Sequence, residues 1–339
     1  MARRSSALTS LPWSDPLAAA LEQAALAIGR LNARISASPV RSAWQIRAAW
    51  SGYSKALQLQ GVEIDEIDVF AWGCAIPLPG RARISTLDDP FEGFARWRDQ
   101  FDGNARRHWR EDLGARVLPD PTYAGPVLLR ALEALRQISI VDYSVDAWLA
   151  LPLLLQRMGV TTVLLSCLVA GEKRLRFDQP ADEAVLRRLL KALAEAAATG
   201  LDRVDAIERD RLRAARAILA IARPGALARL AARLQARPVA SPQAISAEFG
   251  ISISGAGKLL VRAAEAGLVR EVRGKQAWKL YLTPDLAVAF GFVAPPRGRP
   301  RADPPPLLHD RPLAAMLQAF DADMAAFDRA HPSANLVID

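Results

Sequence analysis

The chain has 339 residues, of which 51% are hydrophobic and 24% charged, and carries a formal net charge of +8. That length and apolar content suffice for two or three domains with buried cores, and they exclude wholesale disorder. The two cysteines, Cys74 and Cys167, stand far apart. They form neither a disulfide framework nor a metal-ligand spacing, so both are read as packed thiols in a reducing cytoplasm.

The N-terminus is basic but lacks an apolar core of signal-peptide length. The most hydrophobic stretch, Trp148 to Ala170, is interrupted by Pro152, Gln156 and Arg157 and is read as buried helix. Export and membrane insertion are therefore not expected, and the cytoplasm is the expected location.

Alanine, leucine and arginine dominate the first two thirds, which predicts a mainly α-helical protein. A first helix starts at Ser14-Asp15-Pro16, a capping residue followed by a first-turn proline, and carries Leu17, Leu21, Ala24, Ile28, Leu31 and Ile35 at threes and fours. Ser38-Pro39 stops it. A second helix is expected from about Val40 to Gln60. In the segment Val62 to Val69, Glu63, Asp65, Glu66 and Asp68 are read as a solvated face, because no histidine or further ligand cluster lies nearby.

From Ile76 to Pro126 periodicity is poor, predicting a long irregular connection with a short helix around Phe91 to Trp97. Trp97 and Trp109 with their neighbouring arginines could stack on single-stranded bases. The reading preferred is an amphipathic helix with balanced charge. Helices follow at Pro126 to Arg136 and Val145 to Val169, then at Asp182 to Ala198 and Leu201 to Ala222, separated at Gly200.

After Arg223-Pro224-Gly225, the stretch Pro242 to Leu260 has the spacing of a helix-turn-helix. Ile245 and Phe249 lie on one face of the first helix, and Gly250 supplies a turn residue that tolerates a left-handed backbone. Ile251 and Ile253 are expected to pack beneath it, and Ala256, Leu259 and Leu260 to continue the inward stripe. The outward face then holds Ser252, Ser254, Gly255, Lys258 and Arg262, whose small and basic groups suit phosphate oxygens or base edges. Val269 to Leu282 alternates apolar and polar residues around Arg273-Gly274-Lys275 and reads as a β-hairpin. Val272, Trp278, Leu280 and Leu282 are expected to face the core, with Arg270, Arg273, Lys275 and Gln276 near the tip. A basic hairpin after such a helix pair is the wing of a winged helix-turn-helix.

Charge points the same way. Ala226 to Arg301 holds twelve basic residues against four acidic ones, a net of +8 that equals that of the whole chain. This is the footprint of a module that tracks phosphates. Beyond it, Ala294 to Pro306 is a proline-rich basic linker. The last helix, Pro312 to Ala330, carries Leu313, Met316, Leu317, Phe320, Met324 and Phe327 on one stripe, for docking on this chain or on a second copy.

Several strings resemble a known family: Leu11 to Trp13, Gly29 to Val40, Gln58 to Asp65 and Asp146 to Leu151, together with the C-terminal helix-turn-helix and Arg273 to Trp278. It is a little-characterised group, frequent on rhizobial genomes and plasmids, that joins an uncharacterised helical domain to a helix-turn-helix. The resemblance spans roughly residues 11 to 283 and implies DNA binding and no known reaction. The N-terminal helices also resemble, distantly, the leading segment of Fic-type nucleotidyl transferases. That family's H-P-F-x-D/E-G-N-G-R motif has its nearest string at Asp99 to Arg106, without the His-Pro pair and with Ala105 for the loop glycine. No hydroxyl-activating base is then in place.

Ser254 to Leu259 brushes against a phosphate-binding loop but fails at both ends, with Ser252 for the first glycine and Leu259 after the lysine. Three histidines, none near another, assemble no zinc site or catalytic triad. The expectation is a mainly α protein, not an enzyme, with no cofactor, metal or catalytic residue. Its parts are an N-terminal helical segment (1–75), an irregular connection (76–125), a helical domain (126–225), a winged helix-turn-helix (226–290), a linker (291–311) and a terminal helix (312–330). The expected partner is double-stranded DNA, read by a homodimer that regulates transcription; the alternatives are a degenerate relative of the Fic-type transferases and a protein-docking adaptor whose basic face meets an acidic partner. The expected contacts are Ser252, Ser254, Gly255, Lys258, Arg262, Arg270, Arg273, Lys275 and Gln276.

Overall fold

A computed structural model of the chain describes residues 14–76, 93–94, 97, 125–177, 182–273, 279–294 and 311–330. Helix accounts for 72% of the described residues and strand for 4%, so the chain is mainly α-helical. Two compact units are formed, one from Met1–Arg41, Gln45–Val69 and Ile84–Val204, the other from Ser42–Trp44, Phe70–Arg83 and Asp205–Asp339. Most of the connection expected at 76–125 and most of the linker expected at 291–311 lie outside the described residues, as do all but Gly93, Phe94 and Trp97 of the short helix expected around Phe91 to Trp97.

The first elements are α1 (Asp15–Ser36), α2 (Arg41–Gln60), α3 (Glu66–Gly73), α4 (Val127–Val141), α5 (Asp146–Arg157), a 3-10 turn at Lys173–Arg176 and the long α6 (Glu183–Leu219). Helix α1 begins where its capping residue predicts. Ser14 Oγ accepts the Leu17 N–H at 3.2 Å and donates to Glu183 Oε1 at 2.6 Å, while Leu17, Ala24, Ile28, Leu31 and Ile35 are buried. Trp97 is buried and donates its indole N–H to Asp146 Oδ1 at 2.6 Å, so it offers no face for stacking a base.

Three expectations are corrected in this unit. The helix expected over Val145 to Val169 ends at Arg157, because Gly159 takes a left-handed φ of 75°. The apolar run beyond it stays buried without regular structure. Two of its amides are met by a side chain: Asn32 Oδ1, on α1, accepts from Thr162 N at 2.9 Å and Val163 N at 3.3 Å, while Val160, Leu168 and Val169 donate to nearby backbone carbonyls. The same run presses its backbone onto α2 at Gly52, where a Cβ would stand 2.0 Å from the Ser166 carbonyl oxygen.

Gly200 does not separate two helices. Helix α6 runs unbroken from Glu183 to Leu219, with Gly200 buried inside it, so packing outweighs the roughly 1 kcal/mol that glycine costs a helix interior. Nor is the acidic segment only a solvated face. Glu66 pairs with Arg203 at 2.7 Å, Arg203 also donates to Ser51, and Asp68 Oδ2 accepts the Asp65 N–H at 2.9 Å.

The second unit continues from α6 with α7 (Leu227–Ala236), β1 (Val239–Ala240), α8 (Pro242–Phe249), α9 (Ile253–Glu265), β2 (Arg270–Arg273), β3 (Lys279–Leu282), α10 (Pro284–Ala289) and α11 (Arg311–Ala330). The strands form an antiparallel sheet in the order β1-β3-β2, with Val272 opposite Leu280 and Val239 opposite Leu282. Leu230, Ile245, Leu260, Val269, Leu313 and Phe320 belong to its core. Helix α11 therefore docks on its own chain, against α7, and Arg211 fastens it through Asp321 Oδ1 at 2.8 Å and the Leu317 carbonyl at 2.9 Å.

Val272, Leu280 and Leu282 are buried as their alternation predicts, and Trp278 lies outside the described residues. Tyr281, at the odd position, is fully buried as well and is the β3 residue that joins the helical core. As the central strand, β3 is covered on both faces, which a period-two reading does not anticipate. Burial and the neighbouring Glu271 carboxylate push the Tyr281 phenol up to about 12. No single helix among the described residues is long and apolar enough to cross a membrane.

The glycine contacts give a paired stability test. Gly52→Ala drives a methyl into backbone and is expected to cost about 3 kcal/mol. Gly29→Ala, in α1 with open space around it, is expected to gain up to about 1 kcal/mol. Urea unfolding followed by circular dichroism reads both, and equal stability of the two variants would refute the close approach at Gly52.

Candidate functional site

The axes of α8 and α9 turn through 111° across Gly250-Ile251-Ser252. Each end of this corner is closed locally. Ser241 caps α8 by accepting the Ala244 N–H, and Gly250 ends it at φ 67°. Ser252 caps α9 by accepting the Gly255 N–H at 3.1 Å. Ser246 Oγ donates to the Ile251 carbonyl at 2.6 Å and ties the turn back onto α8.

The corner is clamped from below by two arginines of α7, one turn apart. Arg233 is only 2% exposed; its Nε donates to Glu248 Oε2 at 3.1 Å, and its Nη1 to the carbonyls of Arg237 at 2.6 Å and Val239 at 2.7 Å. Arg229 stacks on the Phe249 ring at 4.3 Å and donates to the Glu248 carbonyl at 3.3 Å. Both cations thus sit at the C-terminal end of α8, where the helix dipole favours positive charge. Two of the basic residues counted as a phosphate-tracking surface are in fact structural.

The predicted contact residues divide as follows. Ser252, Ser254, Lys258, Arg262 and Arg270 are exposed or half-buried, and Gly255 is half-buried beside the Ser252 hydroxyl. Ser252 spends its acceptor on the helix cap. Arg262 is held by the Arg223 carbonyl at 3.0 Å. Lys258 and Arg270 make no ion pair among the described residues. Between β3 and β2, Lys279 faces Glu271 at 3.7 Å. The Arg273 backbone lies in β2 opposite Lys279, while its side chain, Lys275 and Gln276 lie outside the described residues.

Ile253 is a correction. Instead of packing beneath the turn it is 56% exposed, because Ala256, Leu259, Leu260 and Ala263 already fill the buried stripe of α9. Val261 is 40% exposed, and a Cβ on Gly257 would meet nothing within 4 Å. Ile253, Gly257 and Val261 follow one another at intervals of four and share a line on the helix surface. The spacing is visible in the sequence; which of two apolar lines faces the core is not.

The three histidines and the Asp99 to Arg106 string lie outside the described residues, and among those described no group of three or more histidine, cysteine or acidic side chains could hold a metal ion. The phosphate-loop-like string Ser254 to Leu259 lies inside helix α9 and is not a loop. In the first unit, burial pushes the Cys167 thiol up to about 12 despite the opposing pull of Arg203. Compared with known proteins, the chain matches no family model and no curated sequence.

The Arg233–Glu248 pair sets a testable asymmetry. Arg233→Ala leaves the buried Glu248 carboxylate alone and is expected to cost about 3–5 kcal/mol. The double change Arg233→Met with Glu248→Leu is expected to restore most of that stability. Thermal melting of the single and double variants decides it, and a mild effect of the single change would refute the clamp.

Proposed function

We propose that the second unit is a winged helix-turn-helix that binds double-stranded DNA and regulates transcription, as a homodimer in the cytoplasm. The observation that carries this reading is the outer face of α9. It is a helix set at 111° across a three-residue glycine turn, capped at its N-terminus, with Ser254, Lys258 and Arg262 exposed beside Ile253 and Val261 and with Ala256, Leu259, Leu260 and Ala263 of its inner stripe buried. Helix α9 lies in the major groove. Lys258 and Arg262 reach base edges or phosphates, and the β2–β3 hairpin follows as a wing whose Arg270, Arg273 and Lys275 lie along the adjacent phosphate backbone. The resemblance to helix-turn-helix proteins of rhizobial type points the same way. Dimerisation follows from the small DNA surface one such module buries, since specificity needs two half-sites. The reading assigns no reaction to the chain.

Binding of the full chain to fragmented genomic DNA across a salt series tests the proposal. Retention of fragments sharing an inverted repeat at high salt is the expected result, and absence of any retained duplex would refute it. Arg270→Ala leaves one phosphate without its cation and is expected to lower the slope of log affinity against log salt by about 0.9. The double change Arg273→Ala with Lys275→Ala is expected to weaken binding to all sequences alike, and an unchanged slope there would remove the wing from the interface.

A further inference from the structure

The outer face of α9 carries three residues that neither the fold nor the helix explains. Ile253 and Val261 are β-branched and exposed, which loses side-chain freedom in a helix and returns no packing. Gly257 between them weakens the helix relative to alanine, although a Cβ there would meet nothing in this chain. The buried stripe of Ala256, Leu259, Leu260 and Ala263 is complete without them. Single exposed apolar residues are ordinary, but three helix-disfavouring choices on one line call for a neighbour outside the molecule.

The charge beside that line restricts what the neighbour is. Lys258 adjoins Gly257 and Arg262 adjoins Val261, no acidic residue stands in the first turn of α9, and Glu265 closes the line one turn beyond Val261. Flanking cations favour a neighbour whose apolar groups are bordered by negative charge. The floor of the DNA major groove is bordered by phosphates and presents one apolar group, the thymine methyl.

We infer that Ile253 and Val261 are the specificity-determining residues of this unit. Each covers the 5-methyl group of a thymine, Gly257 lets the helix axis approach the groove floor, and Lys258 takes a guanine O6 or N7 lying between. Residues 253 and 261 are separated by about 12 Å along a helix rising 1.5 Å per residue, so the two thymines stand about three to four base pairs apart. The inference rests on the DNA-binding reading and adds the chemical identity of the bases read.

Selection of the full chain against a randomised duplex, followed by exchange of single thymines for uracil in the enriched site, tests it without altering the protein. Two thymines flanking a guanine are expected, and uracil at either is expected to weaken binding about fourfold, the effect of one uncovered methyl. Ile253→Ala should abolish the sensitivity at one thymine and Val261→Ala at the other, while the salt slope stays unchanged. Circular dichroism confirms that these exposed-site variants fold. An enriched site indifferent to uracil overturns the thymine reading and leaves DNA binding intact. A chain that binds no duplex, or binds all duplexes equally, overturns the inference, and in the first case the proposed function with it.

Discussion

The second unit depends on one buried guanidinium. Arg233 reaches from α7 to the Glu248 carboxylate at the end of α8 and to the carbonyls that lead into β1, so three elements meet on one rigid, planar donor. Gly250 ends α8 locally, and Arg233 ties that end to α7 and to the chain entering β1. The arrangement is costly in one respect: Arg233 Nη2 and Glu248 Oε1 are buried without hydrogen-bond partners. Buried pairs of this kind add little net stability but penalise any alternative packing that would leave one charge alone. Here the geometry so held is the orientation of the α8–α9 corner.

That internal use of charge changes how the basic balance of this quarter is understood. Arg229 and Arg233 serve the fold, Arg262 is anchored to a carbonyl, and Lys279 faces Glu271. Among the described residues, the cations left unengaged by an ion pair include Lys258 and Arg270, on α9 and on the strand that follows it. A net charge is a sum over residues, whereas a surface potential is made only by those that solvent can reach. Arg233 is withdrawn from solvent while Arg229, Arg262 and Lys279 stay exposed, and the apolar line of Ile253 and Val261 runs beside Lys258 and Arg262.

The first unit solves a different problem, that of burying a run of apolar residues with no regular structure to satisfy its backbone. Asn32 supplies the acceptor that a neighbouring strand or helix would have provided, and glycines at 52 and 171 remove the side chains that would hold the run away. At Gly171 a Cβ would stand 2.4 Å from the Trp148 ring. Asn32 and Gly52 each meet partners more than a hundred residues away along the chain. Conservative changes at such positions act as core mutations, even though the residues themselves are small or polar.

The sequence by itself determined whatever depends on near neighbours along the chain. The Ser14 cap and first-turn Pro16, the left-handed Gly250, and the inward stripe of Ala256, Leu259 and Leu260 are all set by interactions within a few residues. The tertiary structure decided what depends on a partner far away. It buried Tyr281 between neighbours on both faces of β3, carried α6 through Gly200 and turned Ile253 outward. Periodicity reports that a face is apolar, but which apolar face is covered, and which cation is neutralised, is set by the residues that the fold brings opposite it.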